Sequence, residues 1–437
     1  MAERTIRPRD RDAILQSLSA GVVPRRGLQY IQVGRAGEVK ALLQDLDRVA
    51  DGGSSIRLII GEYGSGKTFF EQLIRMAALE KNLVTLHADF NPDRRLHGSH
   101  GQARSLYAEL TRNMATRSSP EGGAMGAVVE KFISSTMETA RRNDTNVPAE
   151  MRRRLASLSE LVGGFDFAHV IEAYWRGFQE GNADLQASAI RWLRGEYSTK
   201  TEARQDLGVR NIVEDANVYD QIKLLSRFVV LAGYSGLYVV LDEAVNLYKL
   251  TSTQARTSNY EQLLRIVNDA LQGNVEHLGF MIAGTPEFLT DTRRGVYSYE
   301  ALQSRLSENR FLGSGLTDYS GPVIRLANLT PEELFVLLGR LLAVYGPDEK
   351  GNPLLSDDAV TAFMRHSSER IGSDYFRTPR TTIRAFVQLL AILEQNPGIQ
   401  WTDLLGRVEV VPDRDESASL TPGDDSSSPD DLATFRL

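Results

Sequence analysis

Eight consecutive residues at positions 61–68, GEYGSGKT, have the types and the spacing that bind a chain of phosphates. They match G-x-x-x-x-G-K-[ST], the Walker A pattern, in which glycines let the backbone curl so that successive N–H groups point at a phosphate. Lys67 is expected to reach the β- and γ-phosphates of a nucleotide, and Thr68 to bind Mg²⁺. The predicted nucleotide-binding residues of this loop are Gly61, Glu62, Tyr63, Gly64, Ser65, Gly66, Lys67, Thr68 and Phe69.

Two adjacent carboxylates supply the second half of a hydrolysis site. Asp242 and Glu243 directly follow the apolar run Leu237–Leu241, and the carboxyl ends of strands are where open parallel sheets bind their ligands. Asp242 is predicted to hold Mg²⁺ through water, and Glu243 to orient and polarise the attacking water. The alternative is a polar strand end without a catalytic role, which the upstream phosphate loop disfavours.

Weaker patterns add candidates on either side of the nucleotide. Val33 and Arg35, in IQVGR upstream of the phosphate loop, are predicted to wall the adenine of ATP, with a simple packing strand as the alternative. Thr285 follows the apolar run Leu278–Ala283 and is predicted to approach the γ-phosphate. The alternative for Thr285 is a turn-forming threonine before Pro286.

Three arginines are candidates for stabilising charge on the transferred phosphoryl group. Arg305 and Arg310 lie in QSRLSENRF, about twenty residues beyond the strand that ends near Thr285, and could reach a neighbouring subunit's site. Arg380 opens the last long helix and could contact the γ-phosphate of its own chain. For each of the three, a solvated surface residue is the alternative.

The elements that must position these residues follow from short apolar runs and helical periodicity. Strands are predicted at Arg57–Ile60, Leu83–Asp89, Gly236–Glu243, Leu278–Thr285 and Val323–Leu329, and helices separate them. A short extended piece is predicted at Tyr30–Val33. Thr330, Pro331 and Glu333 have the pattern of a capped helix start. Together these patterns indicate an α/β fold with a parallel sheet and a helical lid.

The chain divides into six predicted segments. They are an N-terminal adenine-side segment at 1–55, the first part of the core at 56–90, a helical insertion at 91–234, the second part of the core at 235–329, a helical lid at 330–411 and an acidic tail at 412–437. The tail has seven acidic and two basic residues and is rich in Ser, Pro and Gly, so it is predicted to be disordered.

Composition excludes several classes of protein. The 437 residues include no cysteine, which excludes disulfides, thiolate metal sites and a cysteine nucleophile. The longest apolar stretch, 228–241, is too short for a membrane span, and the charged N-terminus is not a secretory signal. A cytoplasmic protein without a membrane partner is expected. The basic runs Arg141–Arg142 and Arg152–Arg154 could meet DNA phosphates, although solvated helix faces are favoured.

The motifs VGRAGEV, GEYGSGKT, VVLDEA, AGTPE, SRLSENRF and TPRTTIR occur in this order. In this order they resemble an AAA+ P-loop NTPase of the branch that contains origin-recognition, transposition-regulator and STAND-type ATPases. More narrowly, the chain resembles the BrxD-like ATP-binding proteins of BREX phage-defence systems. The resemblance rests on GVVPRRGLQYIQVGRAGEVKALLQDL, GEYGSGKTFF and the long insertion before LDEAVNLYKL.

The resemblance implies an oligomeric, Mg²⁺-dependent ATPase that acts with a helicase, and with DNA, in anti-phage defence. Thr285 departs from the wider AAA+ pattern, which usually has Asn there. Two alternatives remain open: a nucleotide-gated scaffold with little turnover, and a DNA-coating regulator. Lys67, Thr68, Asp242 and Glu243 favour hydrolysis over a scaffold, and a net charge of −2 outside the tail disfavours a DNA coat.

Overall fold

The computed structural model describes residues 6–309, 317–347, 353–371, 379–396 and 398–405. Its centre is a parallel sheet in the order β2-β3-β4-β1-β5. The strands are β1 (Ser54–Gly61), β2 (Leu83–Asp89), β3 (Gly236–Asp242), β4 (Leu278–Gly284) and β5 (Val323–Leu326). All five predicted strands are confirmed, although β5 ends three residues before its predicted end.

Helices cover both faces of the sheet, which explains why β3 and β4 are apolar along most of their length. Along β3, Val239 packs into the cluster formed with the helical insertion, and its neighbour Val240 packs into the cluster on the opposite face. Because alternate residues of a strand point to opposite faces, both faces must be apolar. Because the strands are parallel, the carboxyl ends of β1 and β3 lie at the same edge of the sheet.

The N-terminal part forms α1 (Pro8–Ser19), α2 (Leu28–Ile31) and α3 (Ala36–Ala50), and α4 (Lys67–Glu80) follows the phosphate loop. The prediction of an extended segment at Tyr30–Val33 is wrong for its first two residues, which belong to α2. Leu28 and Ile31 are both buried, and a spacing of three puts them on one face only in a helical turn.

Seven α-helices lie between β2 and β3 and pack on one face of the sheet. They are α5 (Gln102–Arg112), α6 (Met125–Arg142), α7 (Val147–Leu155), α8 (Gly164–Glu180), α9 (Ala183–Leu193), α10 (Lys200–Leu207) and α11 (Val218–Leu231). Phe132 and Phe228 lie 5.3 Å apart between ring centroids, in the same hydrophobic cluster as Leu58 of β1. The insertion therefore shares its core with the sheet.

The remaining helices complete the core and the C-terminal end. They are α12 (Val245–Tyr248), α13 (Thr253–Gln272), α14 (Pro286–Thr290), α15 (Glu300–Leu306), α16 (Pro331–Tyr345), α17 (Asp357–Ile371), α18 (Pro379–Gln395) and α19 (Trp401–Leu405). The predicted start of α16 is confirmed: Glu333 N–H donates to Thr330 Oγ1 at 3.2 Å, and Thr330 N–H donates to Glu333 Oε2 at 3.0 Å.

The C-terminal helices share a hydrophobic cluster with the N-terminal part. Ile14 of α1 and Ile31 of α2 are buried against Leu338 of α16 and Phe386 of α18. Arg11 Nη2 also donates to the Tyr345 carbonyl at 3.0 Å. The predicted acidic tail at 412–437 lies outside the described residues.

Candidate nucleotide-binding site

The loop between β1 and α4 has a backbone that only its glycines accommodate. Gly64 and Gly66 have φ of 79° and 82°, in the left-handed region that disfavours other residues. At Gly61 an added Cβ would lie 2.4 Å from Ser65 Oγ. Gly66 is also the N-cap of α4, so the first N–H groups of that helix face the loop. This arrangement suits an anion.

Lys67 is held at this loop by the loop's own carbonyls. Its Nζ donates to the Gly61 oxygen at 3.0 Å and to the Glu62 oxygen at 2.9 Å. The ammonium group therefore lies beside the backbone N–H groups of the helix N-terminus, and the two kinds of donor can act on the same phosphates.

The two carboxylates lie at the end of β3, next to the phosphate loop. Asp242 is buried; its Oδ2 accepts from Thr68 Oγ1 at 3.4 Å, and its Oδ1 accepts from the Glu243 N–H at 2.6 Å. A hydroxyl and a carboxylate oxygen at this distance are ligands that suit Mg²⁺, which completes its shell with phosphates and waters. The residues present therefore fit the ion.

Glu243 has an unusual backbone conformation. Its φ is 57°, in the left-handed region, which is sparsely populated by non-glycine residues and is common at functional sites. Burial raises the pKa of its carboxyl, and the negative charge of Asp242 raises it further. Glu243 therefore stands in a strained backbone conformation directly after β3.

A cavity of about 430 Å³ brings most of the predicted residues together. This volume is in the range of pockets that hold small ligands. Apolar side chains from the N-terminal part and the lid, including Leu18, Val23, Leu337 and Ile383, line it together with the loop. The predicted residues that line it are Val33, Arg35, Tyr63, Gly64, Ser65, Gly66, Lys67, Thr68, Phe69, Asp242, Glu243 and Arg380.

Arg380 reaches the cavity from the lid and also contacts the N-terminal part. Its Nε donates to the Gly21 carbonyl at 2.5 Å. An added Cβ at Gly21 would lie 3.4 Å from the same Nε. The lid and the loop after α1 therefore meet at this arginine.

Other predicted residues lie outside the cavity lining. Thr285 Oγ1 is buried and has no hydrogen-bond partner in the described part of the chain. Arg305 is exposed, and its Nε donates to Asn268 Oδ1 at 2.5 Å. Gly61 and Glu62 contribute the carbonyls that hold Lys67. Arg310 lies outside the described residues.

Arg35 has contacts on the phosphate side of the cavity, and its place at the adenine stays a prediction. Its guanidinium donates to the Ser65 carbonyl of the phosphate loop and, at 3.1 Å, to the Ala327 carbonyl just after β5. The sequence pattern grouped Arg35 with Val33, but these contacts place its charged end at the phosphate side of the cavity.

Glu71 is a residue that the sequence analysis missed. It lies one helical turn after Lys67 on α4 and is buried. Burial raises the pKa of its carboxyl well above the ordinary value, and the charge of Asp242 adds to this rise. The signal was available: in KTFFE, an acidic residue at i+4 must share the helix face of Lys67.

Only one arginine of the basic run 152–154 is partly buried, while Arg152 and Arg153 are exposed. Arg153 Nη2 pairs with the buried carboxylate of Glu150 at 2.5 Å. Arg154 Nη1 donates to Thr136 Oγ1 at 2.7 Å. Arg152 is exposed. The exposure of Arg152 and Arg153 is consistent with the favoured solvated helix face, and DNA contact by this run stays untested.

The profile of a known family, described as BREX system ATP-binding protein BrxC/D, matches residues 6–409. The chain belongs to this family. The resemblance to BrxD-like proteins is thereby confirmed, and with it an ATP-binding role in BREX phage defence. No curated protein matches the sequence. Within the described ranges, no helix combines the length and the apolar character needed to cross a membrane.

Proposed function

We propose that this BrxC/D-family protein hydrolyses ATP in a Mg²⁺-dependent reaction. The observation that carries the proposal is the approach of Thr68 Oγ1 to Asp242 Oδ2 within 3.4 Å, with Glu243 lining the same cavity. A protein that only bound ATP would need the phosphate loop. Hydrolysis additionally needs a catalytic carboxylate, and Glu243 would supply it from a strained residue at the same cavity.

Each residue has a separate task in this proposal. Lys67 and the N–H groups at the start of α4 bind the β- and γ-phosphates. Thr68 and Asp242 hold Mg²⁺, which when bound neutralises charge on the phosphate oxygens. Glu243 accepts a hydrogen bond from the attacking water and so orients it toward the γ-phosphate.

We also assign the core to the AAA+ class. The motif order, the helical lid over the cavity and the position of β4 between β1 and β3 support this assignment. In this arrangement the carboxyl end of β4, with Thr285, lies between the strands that end in the phosphate loop and in Asp242. Assembly into an oligomer, action with a helicase and DNA, and a cytoplasmic location complete the proposal and rest on the family resemblance.

The test is an assay of phosphate release by the purified chain, with ATP and Mg²⁺, in the presence and absence of DNA. We expect turnover that requires Mg²⁺ and is lost in Lys67→Ala and Glu243→Gln. If the wild type binds ATP but releases phosphate no faster than Glu243→Gln, the protein is a nucleotide-gated scaffold and the proposal is wrong.

A further inference from the structure

Arg35 connects three parts of the molecule that border the cavity. It stands just before α3 with φ of 57°, a conformation that is rare for arginine and places its side chain under the phosphate loop. Its guanidinium donates to the Ser65 carbonyl and to the Ala327 carbonyl. An added Cβ at Gly66 would lie 3.4 Å from Arg35 Nη1, so the two are in close contact.

The contact with Ser65 has a consequence for the next peptide N–H. In a trans peptide the C=O and the following N–H point in opposite directions. Because the Ser65 oxygen points at Arg35, the Gly66 N–H points away from it. When Arg35 fixes the Ser65 carbonyl on the outer side of the loop, it therefore also fixes the Gly66 N–H on the opposite side.

The residue before Arg35 lies at the start of the lid. Gly34 lies beside the first turn of α16, where an added Cβ would meet the end of the Glu333 side chain at Oε1. Glu333 is also the residue that closes the cap of α16 with Thr330. Burial lowers the pKa of Arg35, and the charges of Glu38 and Glu333 oppose this effect. The carboxylate that caps the lid helix therefore lies beside Gly34, and its charge acts on the guanidinium that holds the loop.

We propose that Arg35 is a positioning residue. It holds the phosphate loop in the conformation that binds an anion, and it transmits the presence of phosphate in the loop to the lid through Glu333. The inference rests on the proposed nucleotide site. Arg35 holds the Ser65–Gly66 peptide so that its N–H faces the phosphates, and the same guanidinium attracts the Glu333 carboxylate. When phosphate binding changes the conformation of the loop, the attraction between Arg35 and Glu333 that stabilises the first turn of α16 changes as well.

The first test measures ATP affinity by calorimetry. Arg35→Ala should raise the Kd at least about tenfold, because a charge-assisted contact to the loop is lost. Arg35→Lys should not restore it: both bonds come from Nη2, and the lysine side chain is one bond shorter and lacks the planar guanidinium that reaches both carbonyls. A residue that contacted phosphate directly would be largely replaced by lysine. Wild-type affinity in Arg35→Lys would therefore overturn the positioning role.

The second test separates the link to the lid from direct contacts of the nucleotide base. Mg²⁺ tripolyphosphate has phosphates and no base, so it can occupy the loop without touching the apolar wall. In the wild type it should slow hydrogen exchange both at 61–68 and at 331–338. In Arg35→Ala and Glu333→Gln, at saturating tripolyphosphate, the loop should still be protected and α16 should not.

Matched variants make the outcome decisive. Gln can still close a capping box, so Glu333→Gln removes the charge and keeps the cap. Glu332→Gln removes the same charge one residue away and should behave as the wild type. An equal response of α16 in Arg35→Ala and wild type would overturn the inference alone. A wild type that binds neither ATP nor tripolyphosphate would overturn the proposed function, and the inference with it.

Discussion

At the scale of single residues, we expect Lys67 to be the main side-chain charge that acts on the β- and γ-phosphates. Lys67→Ala should abolish stabilisation by ATP and Mg²⁺, because the backbone donors alone bind the anion weakly. In the wild type, ligand at 100 times its Kd raises the free energy of unfolding by about 2.7 kcal/mol. Thermal unfolding with and without ATP measures the difference, and Lys81→Ala, at the other end of α4, is the control. Equal shifts in Lys67→Ala and wild type would contradict the assignment.

Glu243 should govern turnover and leave binding intact. Glu243→Gln keeps the shape of the side chain but removes the charge that polarises water. We expect ATP to bind as before and phosphate release to fall at least tenfold, which corresponds to about 1.4 kcal/mol of activation free energy. Glu80→Gln, an exposed position on α4, is the control for loss of one carboxylate. Turnover within a factor of two of wild type would exclude Glu243 as the water-orienting residue.

The residues of this site that belong to local motifs were predictable from the sequence. Thr68 and Asp242 were predicted from patterns 174 positions apart, and the structure brings their side chains within 3.4 Å. Glu71 and the contacts of Arg35 were not predicted. Burial of Glu71 depends on the fold around α4, and the partners of Arg35 come from parts of the chain that share no sequence pattern.

At the scale of elements, the contact between Gly34 and α16 permits a stability test. Gly34→Ala places a methyl group against Glu333 and forces a left-handed φ of 66° on alanine. We expect a loss of about 1–3 kcal/mol in the free energy of unfolding. Gly339→Ala lies within α16 with no other atom within 4 Å of the new Cβ, and should stabilise by about 0.5–1 kcal/mol. Urea unfolding compares the two, and equal effects would refute the expected cost at Gly34.

The insertion arginines allow packing to be distinguished from DNA binding. Arg154→Ala should lower the free energy of unfolding by about 1–3 kcal/mol, because the buried Thr136 hydroxyl loses a charged partner. Arg152→Ala should stay within about 0.5 kcal/mol of wild type. Urea unfolding and the salt dependence of DNA binding would be measured on both. Unchanged stability with a flatter salt slope in Arg154→Ala would instead indicate a phosphate contact.

The strands were predictable because buried parallel strands are short, apolar and bounded by turns. The helical turn α2 was not predictable, because LQYI is as apolar as a strand. Only its packing against the lid favours a helix at this position. The helical pattern of the insertion was visible. Its packing on the sheet was not, because periodicity identifies an apolar face without identifying what covers it.

At the scale of the whole molecule, the cavity lies between parts that are far apart in sequence. The phosphate loop and the sheet supply one wall, and the N-terminal part with the lid supplies the other. Within one chain the site combines Lys67, Thr68, Asp242, Glu243 and Arg380. The exposed Arg305, at the end of α15, does not line this cavity. A role for Arg305 in hydrolysis is therefore expected to come from a second copy of the chain.

We expect Arg305 to act on the nucleotide of a neighbouring subunit, where an arginine supplied in trans contributes on the order of 10³-fold or more to the rate. Arg305→Ala should then bind ATP normally and lose hydrolysis, and Arg310→Ala is the second candidate to test in the same way. Mixing Arg305→Ala with Glu243→Gln creates interfaces that pair an intact Glu243 with an intact Arg305, so phosphate release should partly return. If the two preparations assemble together and no activity returns at any ratio, Arg305 acts within its own chain or only stabilises α15 through Asn268.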